Sequence, residues 1–234
     1  MKKIMIAALL IVAILVGGTG CMFDSFISTE NKPSVNNQAI SYMEEKYGES
    51  FEMVAPYGDS MTGIRKILVS CDSLPGQQIL VQVDNFREEN KIFRDNYLAV
   101  KYREETIAFW KKCIAPACPD VNVFYEVAKS GLSSELGADA SFEEFLADDR
   151  VEIIVMMELK ASSSAGKEAI EDAVANIAAS CKNMTLTIIV VDDDVFGTLD
   201  RAGLNDRISM GEYVIQATVY IDGDQVKWTW RGEV

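Results

Sequence analysis

The first 20 residues contain a segment that does not belong to a soluble fold. Ile4 to Val16 is an unbroken run of 13 apolar residues, preceded by Lys2 and Lys3. A helix on the surface of a soluble domain would carry a polar stripe, and this run has none. The run is also short for crossing a bilayer. A basic start, a short apolar run and small residues at its exit are typical of a secretory signal peptide, which we predict over residues 1–20.

A cysteine follows this leader directly. The ending Gly18-Thr19-Gly20-Cys21 resembles the lipobox of bacterial lipoproteins, whose cysteine receives a diacylglycerol thioether. The resemblance implies lipidation at Cys21, a tether over residues 21–34, and the membrane as a partner through the lipid anchor. The expected location is the outer face of the cytoplasmic membrane. The alternative is an uncleaved signal anchor with an incidental cysteine.

Charge and composition exclude several classes of function. The chain has 36 acidic and 22 basic residues, a formal net charge of −14, and no histidine. Loss of Lys2 and Lys3 with the leader would change the net charge to −16. Such a body repels nucleic acid and anionic head groups, so charge alone would not hold it on a membrane. The absence of histidine excludes His-based triads and His-ligated metals, and we predict no cofactor.

The pattern of the mature chain predicts an α+β fold with antiparallel-rich sheets and packed helices. A helix is expected over residues 35–48, followed by β-rich runs over 51–54, 64–70 and 79–83 that are separated by Pro and Gly. Asp95 is a suitable N-cap for a helix to about Cys113. We predict two lobes, 35–130 and 140–234, or one continuous domain.

The second half predicts a parallel strand pair. Ser141 and Glu144 form a capping-box pattern at the start of a short helix. Strand, helix and strand patterns then follow over 151–159, 165–181 and 186–191, which favours a βαβ unit or a split βαβ unit. A terminal hairpin is expected around Asp222-Gly223-Asp224-Gln225.

Two short segments resemble a group of known sequences. Lys46-Tyr-Gly-Glu-Ser-Phe51 resembles the KYGE-x-F segment, and Arg94-Asp-Asn-Tyr97 the RDNY segment, of uncharacterised exported lipoproteins from clostridia-like Gram-positive bacteria. The resemblance covers about 60 residues besides the lipobox. It implies packing motifs, namely an aromatic side chain, a capping glycine and the first residue of a strand. It implies no activity.

Four further cysteines lie in the mature chain: Cys71, Cys113, Cys118 and Cys181. An even number outside the cytoplasm suggests disulfides. The short spacing favours a bridge between Cys113 and Cys118, which leaves Cys71 and Cys181 as the second pair. Buried free thiols are the alternative.

Two other patterns are candidate sites. Asp192, Asp193 and Asp194 follow a predicted strand and are a candidate cation site, although they do not match the EF-hand spacing. Trp228 and Trp230 alternate along the last strand, so both indoles lie on one face, either as core or as a platform for sugar or peptide.

The sequence therefore predicts a lipid-anchored, extracytoplasmic protein that binds or scaffolds a protein or cell-envelope ligand without catalysis. One alternative is a carboxylate-based hydrolase of wall glycan or peptide, which would show two facing acids in an aromatic-lined groove. The other is a solute-capturing lipoprotein for a transporter, which would show a cleft of a few hundred Å³.

Overall fold

The structure is a computed structural model that describes residues 34–59, 63–84, 91–127, 132–133 and 135–232. The chain divides into two compact units, residues 1–38 and 39–234. In the first unit the described residues are 34–38, which include the start of the first helix. The predicted leader, Cys21 and most of the predicted tether lie outside the described residues.

The described residues form six α-helices and nine strands, which confirms the predicted α+β fold. In chain order the elements are α1 Val35–Tyr47, β1 Phe51–Asp59, β2 Ile64–Cys71, β3 Ile79–Asp84, β4 Ile92–Asp95, α2 Tyr97–Lys101, α3 Arg103–Ile114, β5 Val121–Tyr125, α4 Phe142–Ala147, β6 Ile153–Lys160, α5 Lys167–Ala178, β7 Asn183–Val191, α6 Arg201–Met210, β8 Ile215–Asp222 and β9 Gln225–Gly232.

The first sheet is an antiparallel meander in the order β1-β2-β3-β4, as the turn signals predict. Gly48 ends α1 with a φ of +69°, a conformation that costs glycine little. Strand β1 lies at the sheet edge and shifts register at Met53/Ala55 and at Pro56/Gly58. Proline has no N–H to donate, so an edge strand with bulges accommodates Pro56.

The second sheet has the order β5-β6-β7-β8-β9, and within it β6 and β7 are parallel neighbours. Helix α5 connects these two strands, so the C-terminal half contains the βαβ unit without an inserted strand. The buried residues Ile170, Val174 and Ile177 of α5 fall at helical spacing, as the sequence predicts. Strands β8 and β9 form the predicted terminal hairpin, with Asp222 opposite Gln225.

Strand β5 belongs to the sheet of the C-terminal half. Its residues 121–125 pair antiparallel with residues 155–159 of β6, although the predicted N-terminal lobe extends to residue 130. The alternation of Val121, Val123 and Tyr125 along β5 indicates a strand but not its partner, because pairing depends on a contact distant in sequence. Residues 39–234 form one compact unit.

Of the two helix starts predicted from capping residues, one is confirmed and one differs. The capping box at Ser141 is confirmed, since Ser141 accepts from the Glu144 backbone and the Glu144 carboxylate accepts from the Ser141 backbone. The helix predicted from Asp95 to Cys113 is instead two helices, α2 and α3, separated at Tyr102, with Asn96 as the N-cap of α2.

Among the described residues, none of the helices combines the length and apolar character that crossing a membrane requires.

The capping box gives a direct stability test. Replacement of Ser141 by alanine removes the acceptor for the Glu144 N–H at the first turn of α4. We expect a loss of about 1 kcal/mol in the free energy of unfolding, measured by urea titration with circular dichroism. Ser209→Ala, in the exposed part of α6, is the matched control and should change the free energy by less than about 0.5 kcal/mol. Equal effects of both substitutions would contradict the assignment.

Candidate functional site

The KYGE-x-F and RDNY segments meet around one buried carboxylate. The Asp95 side chain is 1% exposed and accepts from Lys46 Nζ at 2.8 Å. The Tyr42 hydroxyl donates to Asp95 Oδ2 at 2.9 Å and the Tyr47 hydroxyl to Oδ1 at 2.6 Å. Lys46 also donates to the backbone oxygen of Ser133 at 3.0 Å. A buried charge is tolerated only when it is paired and hydrogen-bonded, and Asp95 meets both conditions.

A second polar group lies beside the first. The rings of Tyr47 and Tyr97 stack with centroids 4.0 Å apart, and Phe51 meets Tyr97 edge-on. The Tyr97 hydroxyl donates to the Glu49 carboxylate at 2.7 Å, and the Ser73 hydroxyl donates to the same oxygen at 2.8 Å. The two segments therefore form one aromatic and polar cluster, which we call the Asp95 cluster: Tyr42, Lys46, Tyr47, Glu49, Tyr97 and Asp95.

The cluster holds its tyrosines in the neutral form. Burial raises the pKa of Tyr97 to about 12, with a further contribution from the Glu49 carboxylate. Burial and the Asp95 charge raise the pKa values of Tyr42 and Tyr47 as well. Burial acts to raise the pKa of Glu49, but the hydrogen bonds from Tyr97 and Ser73 outweigh it, so this pKa is lowered.

Asn96, the next residue of the RDNY segment, links the two sheets. Its side-chain oxygen accepts from the backbone N–H of Leu80 in β3 at 2.7 Å. Its amide nitrogen donates to the carbonyl of Val127, just beyond β5, at 2.8 Å. The Asn96 side chain is buried, and both its donor and its acceptor bond backbone groups. It therefore acts as a structural clamp between the two sheets.

A groove of about 420 Å³ opens next to this clamp. The floor consists of largely apolar side chains and the rim of polar ones. Its lining residues are Tyr57, Leu68, Gly76, Gln77, Gln78, Leu80, Asn96, Val100, Arg103, Tyr125 and Val127. The volume falls within the usual range of small-molecule sites, which have apolar walls and few polar groups. No carboxylate belongs to this described lining, which therefore shows no pair of facing acids of the kind that a glycosidase needs.

Arg103 is the charged residue of the groove lining. It is the first residue of α3 and exposed, and its side chain forms no ion pair or hydrogen bond with a residue that the structure describes. A positive charge in the first turn of a helix opposes the helix dipole. The sequence does not reveal that Arg103 begins a helix, because the pattern predicts one helix from Asp95 with Arg103 in its interior.

The predicted disulfides are absent, because Cys71, Cys113, Cys118 and Cys181 are free thiols. The chain continues in a helical turn after Cys113, and the Cys118 thiol bonds the carbonyl of Asp120 at 3.1 Å and contacts Ser163 at 3.2 Å. Cys71 ends a strand of the first sheet, whereas Cys181 precedes a strand of the second. Burial raises the pKa of the Cys181 thiol to about 12 and also raises that of Cys113. The alternative of free thiols, three of them buried, agrees with the structure.

The three adjacent aspartates do not form a cation site within the described residues, where no three acidic or cysteine side chains converge. Asp193 instead accepts from the backbone of Ser162 at 3.1 Å and lies 3.9 Å from Lys160 Nζ. The hydrogen bond from Ser162 lowers the pKa of Asp193. These aspartates begin a turn after β7, in which the Asp192 carbonyl accepts from the backbone of Val195.

The two tryptophans stack on each other on the face of β9 that adjoins α5. Their ring centroids are 5.1 Å apart with an interplanar angle of 2°, and both side chains are half-buried. Trp230 donates to Glu171 of α5 at 3.1 Å, and Lys167 lies over its ring at 5.1 Å. The ring of Trp230 is therefore engaged by Trp228 and by Lys167 of the same chain.

Sequence reasoning also missed a buried acid in the second sheet. Glu158 lies in the apolar strand β6 and is fully buried. It accepts from the side chain of Asn122 at 2.8 Å and from the backbone of Gly197 at 3.2 Å, so it holds the turn after β7 against the sheet. A lone acid within an apolar strand is the signal that points to such a residue.

Comparisons with known proteins add a structural similarity. No protein-family model matches the chain, and no curated protein matches it. The chain is similar to the crystal structure of a DUF5037 family protein from Ruminococcus gnavus, with 14% sequence identity and a TM-score of 0.42, over 83% of this chain and 94% of that chain. A similarity at this level carries no information on function.

The Asp95 cluster predicts a large effect of Lys46. Lys46→Met removes the cation and leaves the Asp95 carboxylate buried, so we expect a loss of about 3–5 kcal/mol in the free energy of unfolding. The double variant Lys46→Met with Asp95→Asn should recover part of the loss, since a neutral amide needs no counter-charge. Lys111→Met, an exposed lysine of α3, is the control and should change little. A loss below about 1 kcal/mol for Lys46→Met would contradict the cluster's role.

The raised tyrosine pKa values predict a loss of stability at alkaline pH. Above pH 10 the tyrosines of the unfolded chain release protons while those of the cluster retain them, so the unfolded state binds fewer protons. Stability should then fall by about 1.4 kcal/mol per pH unit for each such tyrosine. Urea titrations between pH 9 and 11.5 measure this slope.

The control for this slope is a pair of variants. Tyr42→Phe with Tyr47→Phe should make the decline above pH 10 shallower, although the protein starts less stable. Tyr220→Phe, an exposed residue outside the cluster, should leave the slope as it is in the parent chain. Identical slopes for all three proteins would show that the cluster does not hold its tyrosines neutral.

Proposed function

We propose that this protein is a lipoprotein, anchored through Cys21 at the outer face of the cytoplasmic membrane, that binds a small ligand without chemistry. The observation that carries the binding role is the groove of about 420 Å³, with an apolar floor, a polar rim and no carboxylate in its described lining. The support for the anchor is the apolar run that ends in Gly18-Thr19-Gly20-Cys21.

The residues that line the groove favour binding over catalysis. Its amide-bearing lining residue nearest the core, Asn96, has both side-chain groups occupied by backbone partners. The remaining polar lining residues are two glutamines, two tyrosines and an arginine. The described lining holds no serine, threonine, cysteine or lysine that could act as a nucleophile. Among the described lining residues there is no acid pair with which a carboxylate-based hydrolase could act.

Solute capture for a transporter is the second candidate function. The groove volume meets the expectation of a few hundred Å³ for that class. Binding is common to both candidates, and they differ in whether the ligand is passed to a second protein.

Ligand screening tests the binding role. Thermal-shift titration of the full chain against sugars, muropeptides, amino acids and small organic acids should find a saturable stabilisation, about 2.7 kcal/mol at 100 times the Kd. Gln78→Trp, which places a large ring at the rim of the groove, should abolish that stabilisation. Gln225→Trp, at an exposed position of β9, is the matched control and should leave it intact. Release of a cleaved product from any compound would contradict a role without chemistry.

Intact-mass analysis tests the anchor. Protein from a host that lipidates its own exported proteins should begin at residue 21 and carry the added mass of a diacylglyceryl group, in the membrane fraction. Cys21→Ala should lose the added mass, because residue 21 then has no thiol to receive the diacylglyceryl group. An intact leader with an unmodified thiol at residue 21 would overturn the proposal.

A further inference from the structure

The charge of the groove points to the kind of ligand it takes. Arg103 is a cation at the rim without an ion-pair partner among the described residues, in a chain with 14 more acids than bases. A guanidinium presents a planar fork of donors that matches a carboxylate in two parallel hydrogen bonds. Within the described lining of the groove no acid competes for that fork.

The apolar floor of the groove indicates that the rest of the ligand is apolar. Leu80 and Val100 are 5% and 6% exposed, and the ring of Tyr125 is buried beside them. Contact with such a floor removes apolar ligand surface from water, which contributes about 25 cal/mol per Å². An ion without an apolar part would leave this floor unused.

The net charge of the protein favours a ligand with a single negative charge. A body with 36 acids repels anions in proportion to their charge, and Arg103 supplies one local positive charge. A dianion such as a phosphate monoester would keep one uncompensated negative charge beside Arg103, in a protein whose formal net charge is already −14. A monocarboxylate is balanced by Arg103 alone.

We propose that the groove binds a small organic monocarboxylate with an apolar body, its carboxylate paired with Arg103 and its body on Leu80 and Val100. This inference rests on the proposed binding function and names the ligand class for the same groove. The exposed amides of Gln77 and Gln78 at the rim supply further donors and acceptors to polar groups of the ligand.

The test compares two probes that differ in charge. Hippurate has an aromatic ring, an amide and one carboxylate, and hippuramide is its neutral counterpart. Isothermal titration of the full chain in lipid nanodiscs, with empty nanodiscs as the blank, should show hippurate binding at least tenfold more tightly than hippuramide. Arg103→Gln should weaken hippurate binding at least tenfold and leave hippuramide binding unchanged. Arg103→Lys, which keeps the charge without the fork, should fall between the two.

Control variants separate this inference from the proposed function. Arg231→Gln makes the same change in charge at an exposed residue of β9 and should leave hippurate binding unchanged. Gln78→Trp should abolish binding of both probes, and retained binding in that variant would overturn the proposed site. Equal binding of both probes, insensitive to Arg103→Gln but lost in Gln78→Trp, would overturn the carboxylate class while the binding function stands. Absence of binding by hippurate would overturn the carboxylate class, and the thermal-shift screen would still decide the binding function.

Discussion

The pairing of Lys46 with the buried carboxylate of Asp95 is the interaction on which much of the first sheet depends. It joins α1 to the end of β4 and, through the Ser133 carbonyl, to a segment 87 residues away from Lys46. Transfer of two charges from water is costly, and one direct ion pair rarely offsets it. Here two tyrosine hydroxyls and the Tyr97 backbone N–H also bond the carboxylate, so its lone pairs are satisfied. The cluster therefore fixes one arrangement of helix and strand.

This arrangement determines where the groove lies. Asn96 follows Asp95 directly, so its side chain is directed by the same backbone that the cluster holds. From that position it bonds Leu80 of the first sheet and Val127 beyond β5 of the second. Leu80, Asn96 and Val127 are all lining residues of the groove. A groove assembled from two sheets needs such a link, because preorganised walls would reduce the entropy lost if a ligand bound there.

Elements with local signals were predictable from the sequence. The capping box at Ser141, the glycine that ends α1, the terminal hairpin and the parallel pair around α5 are all confirmed, since each depends on residues close in the chain. The partner of β5 and the split of the helix after Asp95 were not predictable. Asp95 has a strong local role as an N-cap, and it does accept from the Tyr97 N–H, but its main partners lie about 50 residues earlier. Long-range polar pairing leaves no periodic pattern in a sequence.

The candidate sites show the same division. The aspartates are adjacent and the tryptophans alternate along the chain, so both stand out, yet Asp193 bonds the Ser162 backbone and the tryptophans stack on each other. The groove residues are scattered from Tyr57 to Val127 and consist mostly of ordinary apolar and amide side chains, so no spacing marks them. Arg103 is distinctive for its context, as a cation at a helix start in an acidic protein without a described partner. In a surface dominated by negative charge, an unpaired cation beside an apolar floor is the feature that a ligand can recognise, and it becomes visible only when the fold assembles both around Asn96.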